Sequence, residues 1–167
     1  IHAFSHAGQS CISIQRILLH EDIAEEFIQR LKTNVESLRV GDPMDPDTDV
    51  GPLITRGDRD RVKEWVDEAV AGGAELVTGG ELVDEDRCLA PTLLRHPSRE
   101  AKVWCEEIFG PVATIDTFSD FDEALKMAND SKFGLQAGVF TRDIGRGLKA
   151  GNTLEFGGVL INEVPTF

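Results

Sequence analysis

Residues 13–38, SIQRILLHEDIAEEFIQRLKTNVESL, decide the fold class. The first seven, SIQRILL, form a short apolar run without polar alternation, which predicts a buried strand. The chain turns at His20. From 22 to 38 the period changes: Ile23, Phe27, Ile28, Leu31, Val35 and Leu38 recur every three or four residues, so one face of a helix is apolar and docks on a sheet.

The same alternation continues downstream. GDPMDPDTDVGP, residues 41–52, is rich in Pro, Gly and Asp; fixed φ angles and missing amide donors make it a surface connection. A second helix is predicted from near Thr55, with Val62, Trp65, Val66, Ala69 and Val70 inward, ending at Gly72-Gly73. Glu75 to Thr78 reads as a short strand, 79–90 as polar turns, 91–95 (PTLLR) as a short strand and Val112 to Phe118 as a longer one. SDFD, Ser119 to Asp122, matches a capping box that opens a helix carrying Phe121, Ala124, Leu125 and Ala128. Leu135 to Thr141 is a strand, Asp143 to about Leu154 a glycine-weakened helix, and Gly158 to Asn162 another strand. Strands separated by amphipathic helices imply an α/β fold, a mostly parallel sheet with helices packed on it. No internal repeat is visible, and no Gly-x-Gly-x-x-Gly follows a strand.

Composition narrows the functions. A chain of 167 residues with 41% hydrophobic content is enough for about one domain. The apolar runs fall far short of the roughly 18 residues that cross a bilayer, and no basic-then-apolar leader opens the chain. A soluble protein with no membrane partner is expected. Thirty acidic residues against 17 basic, with no Lys/Arg cluster, exclude a grip on a phosphate backbone, so nucleic acid is not an expected partner. Three cysteines without paired spacing fit a reducing, cytoplasmic setting. The four histidines show no zinc-like spacing, so no metal is predicted.

Three stretches carry candidate chemistry. In SHAGQSCISIQRILLH, residues 5–20, the first ten residues of the chain read as the end of a helix, and small or polar Gly8, Gln9 and Ser10 deliver Cys11 to the mouth of the strand. Cys11 is either a small core residue or a nucleophile; its neighbours allow close backbone approach, and the surrounding amides can serve an oxyanion. In CEEIFGPV, residues 105–112, the adjacent carboxylates of Glu106 and Glu107 point opposite ways on an extended segment, so only one faces a given pocket, unless both are simply solvated. In GGVLINEVPTF, residues 157–167, the strand ends at Asn162, and ligands gather beyond the carboxyl ends of strands in open α/β sheets; a plain edge loop is the other reading.

Together the stretches resemble the NAD(P)-dependent aldehyde dehydrogenases. GQSCISIQR is similar to that family's Gly-Gln-x-Cys motif with an arginine five residues on, here Arg16; EEIFGPV is similar to its cofactor-ribose motif; DPDTDVGPLI, FGLQAGVFTRD and GGVLINEVPTF match other segments in the same order. The resemblance implies that Cys11 is the nucleophile, passing through a thiohemiacetal and a thioester that water releases. It implies that Glu107 binds the nicotinamide ribose and that Phe109 packs against that side of NAD or NADP. It places Ser10, Ile12, Asn162, Glu163, Val164, Pro165, Thr166 and Phe167 in the aldehyde pocket. It further implies that residues 1–167 are a catalytic domain cut short at both ends. The cofactor-binding domain, oxyanion asparagine, general-base glutamate and oligomerisation segment are not in the sequence. The complete enzyme is then a homodimer or homotetramer acting on a small aldehyde, and the 167 residues alone are inactive. A coenzyme A-acylating enzyme, and a non-catalytic structural or interaction fragment, are the alternatives.

Overall fold

The computed structural model describes residues 2–165. Its centre is a four-stranded mixed sheet formed by β1 (Arg16–His20), β2 (Glu75–Thr78), β5 (Thr92–Arg95) and β6 (Val112–Phe118), in the order β1-β6-β5-β2. β1 and β5 both run parallel to β6, and β2 lies antiparallel on the outer side of β5. The α/β class holds, and two of the three ladders in this sheet are parallel.

Side-chain alternation divides the sheet into two faces. Leu19, Leu93, Ala113 and Ile115 pack with Ala24, Ile28 and Val35 of helix α1 (Glu21–Glu36). Leu94 and Val112 turn the other way and pack with Val62, Val66 and Ala69 of helix α2 (Arg56–Ala71). The two amphipathic helices, both in the connection from β1 to β2, therefore cover opposite faces of the sheet. Each helix has a side-chain cap at its start: His20 accepts from the Asp22 amide, and Thr55 accepts from that of Asp58.

Beyond β6, helix α4 (Phe121–Asn129) and helix α5 (Ile144–Thr153) pack on a separate parallel pair, β7 (Gln136–Val139) and β8 (Gly158–Ile161). Their core is small, with Leu125, Ala150 and Leu154 buried at its centre. The single sheet suggested by the sequence is thus split in two among the described residues. Arg16 bridges the parts. Its guanidinium donates to the carbonyls of Met127 (2.5 Å) and Asp130 (3.3 Å), groups left without helical partners at the end of α4.

Three local expectations are corrected and one element is added. Residues 5–8 form a short turn in which His6, Ala7 and Gly8 have φ of 53°, 55° and 71°, so this is left-handed backbone and not the end of a helix. Residues 79–90 contain a hairpin, β3 (Leu82–Val83) paired with β4 (Cys88–Leu89), whose two-residue strands are too short to show an alternation. One further turn of helix, α3 (Lys102–Cys105), falls below the length at which apolar periodicity registers. The cap of α4 is Asp120, which accepts from the amides of Asp122 and Glu123; Ser119 lies one residue too early to reach them.

Candidate active site

β1 and β6 are adjacent and parallel, so the segments that precede them emerge at the same edge of the sheet. One of these segments carries Cys11 and the other carries Glu107 and Phe109. Topology alone brings the first two candidate stretches together.

Packing makes the contact specific at both ends of the cysteine loop. At one end, Gly8 lies against Gly110: a Cβ on Gly8 would sit 1.9 Å from the Gly110 carbonyl oxygen. At the other end, the Gln15 amide donates to the Glu106 carbonyl (2.5 Å) and accepts from the Ile108 amide (2.9 Å). The loop between them is held by the Gln9 side chain, which accepts from the Ile54 amide (2.8 Å), and by Ser13 Oγ, which donates to the Ala3 carbonyl (3.0 Å).

Cys11 occupies the tip of that loop. The Ser13 amide donates to the Ser10 carbonyl (3.0 Å), closing a turn with Cys11 and Ile12 at its centre. Ser10 and Ile12 are half-buried and Cys11 is exposed. The backbone amides of Cys11 and Ile12 donate to no described residue, which leaves them free to serve an oxygen that becomes charged beside the thiol.

The carboxylates diverge as vicinal side chains must. Glu106 forms an ion pair with Lys132 at 2.6 Å, whereas Glu107 is exposed and engaged by no described side chain. Between the two exposed residues Glu107 and Phe109, Ile108 is driven into the core. Phe109 holds φ 50°, a left-handed conformation that a bulky residue adopts only when its surroundings impose it. Here Ile108 is buried before it, and Gly110 is wedged against Val62 after it, where a Cβ would lie 2.9 Å from a methyl. The result is a carboxylate engaged by no described side chain and an exposed phenyl ring two residues apart on one short segment.

Beneath this edge, Trp104 is stacked between Arg16 and Arg99, whose guanidinium carbons lie 4.1 Å and 4.3 Å from the ring centre. Burial, followed by the nearby charge of Arg99, lowers the Arg16 pKa from its ordinary value. Trp104 and Arg99 support the site from outside every matched stretch, while Gln15 and Ile54 lie inside matched stretches that assigned them no role; only their contacts in the fold reveal what they do.

The third stretch lies elsewhere in the topology. Asn162 follows β8 in the separate two-stranded sheet, whereas the cysteine loop precedes β1 of the four-stranded sheet. Its side chain is committed to the backbone of Thr141, accepting from the amide (2.8 Å) and donating to the carbonyl (2.9 Å). Glu163 is exposed and accepts from the Val164 amide, Val164 is half-buried and Pro165 is buried. Thr166 and Phe167 lie outside the described residues. An open concavity of about 780 Å³ adjoins Asn162, lined also by Phe140, Thr141, Arg142, Asp143 and Arg146, but neither Cys11 nor Glu107 contributes to it. The thiol sits on an open edge, so cavity size is a poor guide here.

Among the described residues no cluster of His, Cys, Asp and Glu could hold a metal, and no helix is long and apolar enough to cross a membrane. The fold is therefore of the α/β class, with an exposed cysteine on a loop tethered to the segment that carries an exposed carboxylate and ring. The relatives make this specific. The aldehyde dehydrogenase family matches residues 1–167, and the chain belongs to that family. It is 41% identical over 165 residues to 3-sulfolactaldehyde dehydrogenase of Priestia aryabhattai, covering 99% of this chain and 34% of that protein. Aldehyde dehydrogenase 21 of Physcomitrella patens, solved with the reaction product succinate, superposes with a TM-score of 0.95 at 38% identity, over 99% of this chain and 34% of its own. Betaine aldehyde dehydrogenase of Staphylococcus aureus, solved with NAD+, gives 0.91 at 35% identity, over 97% and 33%. The chain thus spans about a third of the length of the curated relatives it matches.

Proposed function

We propose that these residues supply the catalytic thiol and the nicotinamide-side contacts of an NAD(P)-dependent aldehyde dehydrogenase that converts a small aldehyde to a carboxylate. The observation that carries the reading is the double tether, Gly8 on Gly110 and Gln15 on Glu106 and Ile108, which holds the exposed Cys11 loop beside Glu107 and Phe109.

Cys11 attacks the carbonyl carbon, because a neutral aldehyde does not release hydride until a nucleophile has made that carbon tetrahedral. The oxygen, now anionic, is met by the free amide at Cys11. Glu107, with no protein partner, can accept from the ribose hydroxyls of NAD or NADP, and the exposed Phe109 ring can pack against the nicotinamide side. The bound nicotinamide supplies the acceptor for the hydride. Cys11 then carries the acyl group as a thioester until water takes it away as the carboxylate and the thiol is restored. Ser10 and Ile12 border the thiol and contribute to the aldehyde pocket, together with residues 162–167. Within that set Asn162 acts through the loop it pins, since its amide is already spent on Thr141. The complete enzyme is a cytoplasmic homodimer or homotetramer.

The test is Cys11→Ala in the full-length enzyme carrying this sequence. Aldehyde-dependent formation of reduced nicotinamide should vanish, while NAD or NADP binding should persist. Oxidation that survives the loss of the thiol would overturn the reading.

A further inference from the structure

We propose that Gln15 is a positioning residue that aims the Glu107 carboxylate. The inference rests on the reading of Glu107 as a nicotinamide-ribose contact, but the geometry that supports it is independent of that reading.

Gln15 is itself anchored. Its backbone carbonyl accepts from both the amide (2.8 Å) and the hydroxyl (3.0 Å) of Thr114 in β6. From that fixed point its side-chain amide reaches the segment before β6. Nε2 donates to the Glu106 carbonyl (2.5 Å) and more weakly to that of Val103 (3.4 Å), and Oε1 accepts from the Ile108 amide (2.9 Å).

The two strong bonds fall on the two peptide groups that flank the Glu107 Cα. One peptide contains the Glu106 carbonyl and the other contains the Ile108 amide. With both peptide planes held, φ and ψ at Glu107 have little freedom, and the direction of its Cα–Cβ bond is set. One side-chain amide thereby does what a neighbouring strand would do, offering a donor and an acceptor to the two sides of a single residue. No strand among the described residues pairs with residues 106–108, so without Gln15 these groups would turn to water. Gln15 is also only four residues beyond Cys11, so the nucleophile loop and the aim of the carboxylate share one anchor.

The experiment reads position and affinity separately. In the 167-residue chain, Gln15→Leu should speed amide exchange at Ile108 about tenfold, the weight of one ordinary hydrogen bond, with the core amides of Leu94 and Ile115 unchanged. Glu107→Gln should leave Ile108 exchange as it is. In the full-length enzyme, Gln15→Leu and Glu107→Gln should each weaken NAD or NADP binding, and the double variant should be no weaker than the poorer single, because both act through the same carboxylate. If Gln15→Leu does not fold, Gln15→Glu keeps the acceptor for Ile108 and loses the donor to Glu106. That variant should retain Ile108 protection and still weaken cofactor binding.

Unchanged Ile108 exchange in Gln15→Leu overturns the proposal, as do fully additive losses of affinity in the double variant. Faster Ile108 exchange combined with a Glu107→Gln variant of normal affinity upholds the positioning and instead overturns the cofactor role of Glu107.

Discussion

Gly8 is where a single methyl does most harm. Its φ of 71° already disfavours a side chain, and the Cβ would lie 1.9 Å from a backbone oxygen that cannot rotate away. Gly8→Ala should therefore cost about 2–4 kcal/mol, combining backbone strain with overpacking, and thermal unfolding of the variant would show it. Gly151→Ala is a control, since nothing lies within 4 Å of the position a methyl would take. Cys88 gives a second prediction. It is completely buried, and burial, reinforced by the Asp84 carboxylate, pushes its thiol pKa up. The folded state then holds that proton more tightly than the unfolded chain. The stability so gained is complete below the ordinary thiol range, near pH 8.5, and is lost as pH rises through that range toward the raised value. Chemical denaturation at several alkaline pH values should show this loss, and Cys88→Ala should reduce it. Timed alkylation should label the exposed Cys11 first and Cys88 last.

At the scale of elements, the helix caps give the sharpest forecast. Asp120→Ala removes the acceptor for two amides at the start of α4 and should cost about 1 kcal/mol, whereas Ser119→Ala should cost almost nothing. Urea titration of the two variants compares them. If Ser119 proves the costlier loss, the cap is misplaced. The same helix shows how far sequence alone reaches. Long elements were legible: α1, α2 and α5 appear within one or two residues of their expected bounds, and α4 begins within the expected SDFD stretch. The cap residue was one off because SDFD offers two acceptors in a row, and only three-dimensional reach decides between them. β1 begins at Arg16, not at residue 13, because Ser13 and Gln15 spend their side chains on loop contacts ahead of the ladder. In the candidate site, Cys11, Glu107 and Phe109 were marked by motif, and the divergence of Glu106 from Glu107 followed from local geometry. The roles of Gln15 and Trp104 were invisible to such reasoning, because the contacts that tie them to the other half of the site, Gln15 to Ile108 and Trp104 to Arg16, span about ninety residues of chain.

For the whole molecule, the sequence suggested one sheet and the fold contains a four-stranded sheet and a separate parallel pair; periodicity identifies strands but does not say which ladder each joins. The function follows the whole molecule too. In the proposed role, Glu107 and Phe109 would offer a nicotinamide one or two contacts, too few to offset the several kcal/mol of association and ordering entropy. The purified 167-residue chain, given NAD or NADP and a range of aldehydes, should show no sustained formation of reduced nicotinamide. Turnover that disappears in Cys11→Ala would refute this. The stacking of Trp104 between Arg16 and Arg99 has, finally, an optical consequence. The chain has only two tryptophans, and Trp65 is the more exposed of them. Trp104 is 3% exposed, so its indole should emit toward the blue, and it sits one helical turn before the segment that carries the carboxylate. With Trp65 replaced by phenylalanine, the colour of the remaining emission becomes a label-free gauge of whether the two halves of the site are still assembled.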